Sequence, residues 1–145
     1  MATGDVIVFD EAKAKMLDGN WASTDVFNLA IIDNGTTPVA ALATPVIGDF
    51  TQVGNSGSYT TDGIGLGALS VLVTEAGGTM TFDSATNPSW TQNGSNDVDA
   101  WWGIIFNVTD AGKDAVAFVE LGGPVDMSAG ALTVTWHANG IFTIA

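Results

Sequence analysis

Cysteine is absent from the 145 residues, so neither a disulfide framework nor a thiolate metal site can form. Arginine is absent too. Lys13, Lys15 and Lys113 are the only fixed cations against 16 carboxylates, a formal net charge of -13. Gripping a phosphate backbone takes clustered cations that release counterions, and an anionic membrane surface repels the same excess of carboxylates. Neither nucleic acid nor membrane is therefore an expected partner. No apolar run approaches the ~20 residues of a membrane span. Residues 1–15 lack a basic start followed by an apolar stretch, so no signal peptide is expected. The glycosylation patterns at Asn34, Asn93 and Asn107 are accordingly read as turn and strand residues.

Charged residues make up only 13% of the chain, while hydrophobic residues make up 46%. The remaining polarity is carried by Gly, Thr, Ser, Asn and Asp, the residues of turns and strand faces. With 18 glycines, the composition points to β structure. The length fits one domain, 1–145, large enough for a core of its own. Residues 1–20 form a candidate helical arm at its front.

Within that arm, residues 10–18 predict the one helix. Asp10 is its expected cap, Glu11 suits the first turn, and Gly19 suits the stop. Strand patterns follow. Residues 25–33 place Phe27, Leu29 and Ile31 on one face, and Asn34-Gly35 ends the run. Residues 34–66 carry Pro38, Pro45 and the polar run 54–58. They read as a long excursion with one short strand, of the kind that is often functional or mobile.

Residues 68–74 alternate, with Leu69, Val71 and Val73 together. After the turn signal at 75–78, residues 79–82 return with Met80 and Phe82 inward, a predicted hairpin. A polar loop spans 87–96. Residues 100–108 and 115–121 are apolar on both faces, as suits strands covered on both sides. Gly122 and Gly123 predict a break. The last pair, 131–136 and 141–144 around Asn139-Gly140, predicts a terminal hairpin with Trp136 in the core. Short strands at hairpin spacing behind a single helix make the expected fold all-β, an antiparallel sandwich or barrel.

Chemistry is sparse. His137 is the only imidazole base, and no cysteine joins it in a zinc site. Asp97, Asp99 and Glu120 flank the Trp101-Trp102 strand as candidate glycosidase carboxylates, but 16 acids make some such pairing almost inevitable. Asp97, Asp99, Asn93 and Asn96 supply oxygen atoms for calcium without the spacing of a known loop. The glycines at 63, 65 and 67 lead into a strand pattern, the wrong context for a phosphate loop. No catalytic residue, cofactor or metal ligand is assigned, and no enzyme is expected.

Five tryptophans, at 21, 90, 101, 102 and 136, are many for this length. Sugar-binding sandwiches use such flat faces, so a carbohydrate-binding module with a platform of Trp90 and Trp101 or Trp102 is one reading. Adjacent Trp101 and Trp102 point to opposite sheet faces, however, and cannot pave one groove together. Core packing or a subunit interface explains them as easily.

The order of elements carries a resemblance: residues 25–32, the lead Gly63-Ile-Gly-Leu-Gly-Ala-Leu69, then Met80-Thr-Phe-Asp-Ser84 with Trp90 after it. Residues 100–108 and 117–123 follow, and Leu132-Thr-Val-Thr-Trp136 closes on Asn139-Gly-Ile141. From about residue 12 onward the chain resembles small β-rich virion structural proteins of tailed bacteriophages, whose members typically end in Trp-Asn-x-x-Gly-Ile. His137 stands where those proteins usually carry Asn, and Trp101-Trp102 where they tend to carry Arg-Tyr. The resemblance implies a capsid decoration or cement protein on the outer surface of the virion. Its partners would be the major capsid protein and further copies of itself, as a homo-trimer. A tail, neck or fibre-associated component is the alternative within the same class. Phe50, Tyr59, Trp90, Trp21 and His137 are the candidate interface residues, chosen by position, with the loops 49–58 and 87–99 as the expected periphery.

Overall fold

The computed structural model describes residues 2–144. In chain order, β1 (Val6–Val8) leads into α1 (Asp10–Asp18) and β2 (Val26–Ile32). A 3-10 turn (Ile47–Asp49) precedes β3 (Ile64–Ala68), the helical turn α2 (Leu69–Leu72), β4 (Val73–Ala76) and β5 (Thr79–Phe82). Then come β6 (Ser89–Trp90), β7 (Ala100–Asn107), β8 (Ala115–Val125), β9 (Leu132–Thr133) and β10 (Phe142–Ile144). The protein is all-β with antiparallel sheets and a short N-terminal helix.

The two strands that are apolar on both sides, β7 and β8, pair with each other in the middle of a five-stranded sheet of order β1-β8-β7-β2-β3. Both faces of this sheet are covered. On one face, Phe27 of β2 meets Phe82 of β5 edge-on at 5.8 Å, and Phe82 stacks on Phe142 of β10 at 4.8 Å. These rings weld a three-stranded sheet, β10-β5-β4, to the large one in a sandwich-like arrangement. On the other face, Phe118 of β8 packs against Phe9 at 5.0 Å, and Phe9 against Phe50 of the long excursion at 6.2 Å. Gly103, opposite Ile31 and Val119, leaves room for the side chains of Leu29 and Val119, each 3.0 Å from where a Cβ would sit.

The helix α1 forms as its sequence requires. Gly19 closes it in the left-handed conformation at φ 68, with its N–H returning to the Lys15 carbonyl. Phe9 rather than Asp10 occupies the N-cap, because Phe9 must fill the core while its own N–H bonds to Val116. Asp10 instead pairs with Lys13. Lys15 and the Trp21 indole N–H both reach Asp114, at 2.6 and 3.3 Å, which ties the arm to the body.

Three local expectations are corrected. Residues 69–72 turn helically instead of extending, leaving Val71 73% exposed and Leu72 buried. Gly67, at φ 143, offers no Cβ, and the Leu72 side chain fills that space at 3.4 Å. The strand β8 runs through Gly122 and Gly123 to Val125 because Gly123 lies under the Trp101 ring, which a Cβ would meet at 2.7 Å. The residues after Asn139-Gly140 do not return along β9. Instead β9 pairs with β6, while Phe142–Ile144 pairs with β5, Phe142 opposite Phe82. Gly140 makes this crossing at φ 102, packed so closely on Thr81 that a Cβ would lie 2.6 Å from its methyl. Trp136 is half-buried, with its indole N–H on the Thr86 carbonyl. Ala145 lies outside the described residues.

The excursion 34–63 is pinned to the sheet. Where β3 stops alongside β2, the Ile31 N–H finds the Tyr59 hydroxyl at 3.2 Å, and that hydroxyl donates to Gln52 Oε1 at 2.8 Å. Gln52 Oε1 also accepts the Asp62 N–H, and the Asp62 carboxylate pairs with Lys113 at 2.5 Å. Next along the chain, Gly63 at φ 66 passes so close to β2 that a Cβ would meet the Leu29 carbonyl oxygen. Burial drives the Tyr59 phenol well above the usual tyrosine range, aided by the Asp62 charge. A folded-state value above the unfolded one stabilises the fold fully below about pH 10, and this stabilisation is lost as pH rises through the folded value. Tyr59 is the only tyrosine, so tyrosinate absorbance should appear only as the chain unfolds in alkali. Tyr59→Phe should cost about 1–3 kcal/mol at neutral pH by orphaning the Ile31 N–H, read by chemical denaturation. It should also flatten the alkaline loss of stability.

Candidate functional site

Asn96 is one of three buried polar side chains among the described residues, and it organises one end of the molecule. Its Oδ1 accepts the Ser58 N–H at 2.7 Å, and its Nδ2 donates to the carbonyls of Thr91 and Met127, each at 3.0 Å. Three loops distant in sequence thus meet on one amide. Gly57, at φ 62, is required there because a Cβ would lie 2.2 Å from Asn96 Oδ1. Around this centre, Ser56 Oγ donates to the Ser95 carbonyl at 2.6 Å, and Asp97 Oδ2 accepts the Gly54 N–H at 3.1 Å. Gln92 reaches the Ser128 carbonyl, and the Met127 N–H bonds to the Asp97 carbonyl.

The carboxylates of this end are occupied with loop geometry. Asp97 Oδ1 accepts the N–H groups of Val98 and Asp99, and Asp99 Oδ1 accepts the Trp101 indole N–H. Asp126 caps its own turn through the Ser128 hydroxyl and the N–H groups of Ser128 and Ala129. The Ser128 hydroxyl, and after it those N–H groups, hold the Asp126 carboxyl below the ordinary carboxylate range. The oxygens considered for calcium therefore already have partners: Asp97 binds backbone, and Asn96 points inward. Among the described residues no three His, Asp or Glu side chains gather as a metal set. The result is a stiff polar surface made of residues 54–58, 91–99 and 126–130, with Val98 as its exposed apolar point.

Away from the loop end, a concavity of about 360 Å³ lies between the turn before β1 and the segment 132–137. His137, Trp136, Asp5 and Glu120 all line it. His137 Nδ1 accepts the Asn139 N–H at 3.1 Å, so the imidazole is held by its own turn, and no carboxylate of the described residues hydrogen-bonds to it. General-base catalysis needs that orientation and a nucleophile within reach. Glu120 faces this cleft while Asp97 and Asp99 belong to the loop end, so the three candidate glycosidase carboxylates do not converge on one cleft.

The candidate interface residues separate sharply. Phe50, Tyr59, Trp90 and Trp21 are 5%, 1%, 2% and 8% exposed, so their side chains serve the core, and only an edge of Trp21 reaches a surface hollow. This corrects their choice by position: aromatic residues in loop-like sequence are pulled inward wherever the loop lies across a sheet. Trp90, for example, packs on Tyr59 at 5.9 Å. Only His137 of the five is exposed. The sugar platform fails for the same reason, since Trp90 and Trp102 are buried and Trp101 lies over Gly123. Asn96 and Ser58 carried no periodic signal; only the three-loop junction reveals them.

Among the described residues no helix is long and apolar enough to cross a membrane. Comparison with known families, with curated proteins and with solved structures finds no match. Asn96→Ala should cost about 3 kcal/mol by leaving several buried backbone groups unpaired. Amide exchange should then accelerate at residues 54–58, 91–97 and 127 while β7 and β8 stay protected. Unchanged exchange in those loops would contradict the role of Asn96 as their common anchor.

Proposed function

We propose that this protein is a bacteriophage virion structural protein, a decoration or cement protein that binds the outer surface of the assembled head through its stitched loop end. The observation that carries the reading is the hydrogen-bonded junction around Asn96, which makes an exposed, three-loop surface rigid before any partner arrives. A preorganised surface loses little conformational entropy on docking, so more of the contact energy remains as affinity. The major capsid protein is the partner this reading names, and the role is non-catalytic. The net charge of -13 supports it, because a surface so poor in cations does not capture packaged or released nucleic acid.

The mechanism is linkage. A protein that binds the assembled shell and not its dissociated subunits stabilises the shell by mass action, each site contributing RT ln(1 + c/Kd), where c is the free protein concentration. Many weak sites then add up over one particle. A tail, neck or fibre position would use the same body, and copy number separates the two readings: a decoration is present in many copies per head, a tail component in few.

The test is shell survival. Heads stripped of the protein should rupture at a lower temperature or internal pressure than complete heads, and adding the purified protein should restore them. Substituting Val98→Asp at the exposed tip should weaken restoration without lowering the stability of the free protein. Equal survival of stripped and complete heads would remove the cement role.

A further inference from the structure

The outward stripe of α1 is out of keeping with the rest of the surface. Leu17 is 87% exposed, the most exposed large hydrophobic side chain of the described residues. Beside it runs a groove of about 520 Å³ between α1 and the small sheet, bounded by Met16, Met80 and Ile144. It continues toward Trp21 as a second hollow of about 210 Å³ that shares Met16 and Met80. Methionine side chains adapt their shape to what enters, and an exposed apolar knob beside an apolar hollow marks a contact surface.

Charge identifies the occupant. Lys13 and Lys15, two of the three lysines, line these hollows; Lys15 is held by Asp114 and Lys113 by Asp62, so Lys13, its side chain 50% exposed, is the cation most open to a partner. In a chain of net charge -13, such a cation is the scarcest feature a second acidic copy could use. Asp18 adds a second clue. It ends α1, where the helix dipole is negative and a carboxylate is unfavourable, and no lysine pairs with it among the described residues. Lys13 pairs only with the exposed Asp10, an interaction worth little in water.

We propose that two copies of this chain pair about a two-fold axis, with α1 packed antiparallel on α1 beside this groove. An axis level with residues 15 and 16 sets Lys13 of each copy against Asp18 of the other, and Leu17 against the small Ala14. Residues 13, 14, 17 and 18 share the exposed face of α1, which makes the contact self-complementary and closed at two copies. Each Asp18 gains the cation its helix end lacks. The pair takes the place of the homo-trimer implied by the resemblance, and it does not depend on the virion reading.

Sedimentation equilibrium of the purified protein at moderate salt, where long-range repulsion is screened, tests this. A concentration-dependent dimer is expected. Leu17→Glu should abolish it while leaving the circular dichroism unchanged, and the melting temperature unchanged at dilutions where the wild type is monomeric too, since that side chain is exposed. Lys13→Glu and Asp18→Lys should each weaken the dimer at least tenfold, and the double variant should recover most of the loss. A monomer at every concentration, a trimer, or a dimer indifferent to these substitutions overturns the proposal. So does a monomeric wild type whose shell binding, but not fold, is lost with Leu17→Glu, because the groove would then belong to the shell. Shell survival in the preceding test is read independently of this outcome.

Discussion

Burial of β7 and β8 on both faces is the constraint on which the rest of the molecule depends. Ile104, Ile105, Phe106, Val116, Ala117 and Phe118 are all at most 2% exposed, so neither face of their pair can meet water. A strand pair of this kind cannot be half of a one-faced sheet. It demands a cover above and a cover below, and the chain supplies two of different construction. One is the small sheet β10-β5-β4, joined through Phe27, Phe82 and Phe142. The other is mainly irregular backbone, anchored by Phe50 on Phe9 and by Phe9 on Phe118.

An irregular cover carries backbone polar groups into partly buried surroundings, and each of those must find a partner. This is why the polar side chains gather where they do. Tyr59 and Gln52 satisfy the gap left where β3 ends, and Asn96 closes three loops at once. The same necessity that makes the loops foldable makes them stiff. A stitched loop surface thus arises from the requirement to satisfy buried backbone groups, with the carboxylates of Asp97, Asp99 and Asp126 accepting hydrogen bonds from the loops themselves. The charges left free of such duty are overwhelmingly negative, and the few cations cluster on and beside α1.

Much of the architecture was legible in the residues. The helix at 10–18 with its Gly19 stop, the strand at 26–32, the return strand at 79–82 and the two-sided strands at 100–107 and 115–121 follow from periodicity and turn chemistry, though β8 runs on through Gly122 and Gly123 to Val125. The failures share a physical origin. At 69–72 the alternation was real, but a missing Cβ at Gly67 let Leu72 drop inward through a helical turn. At 131–144 the turn was real, yet its arms pair with β6 and β5 because those strands offer the free edges. The interface candidates Phe50, Tyr59, Trp90 and Trp21 failed because sequence reports that a residue sits in a loop and not that the loop lies against a sheet.

Taken alone, the sequence determined the β class, the two-sided centre and the acidic, cysteine-free composition. Each of these follows from composition or from contacts between near neighbours in the chain. Tertiary structure alone decided which strands share a sheet, which aromatic rings are hidden, and that Ser58, Thr91, Asn96 and Met127 converge. Those depend on pairings across up to 38 residues for Asn96 and Ser58, and such pairings are set by the competition of whole surfaces for burial, which no local pattern records.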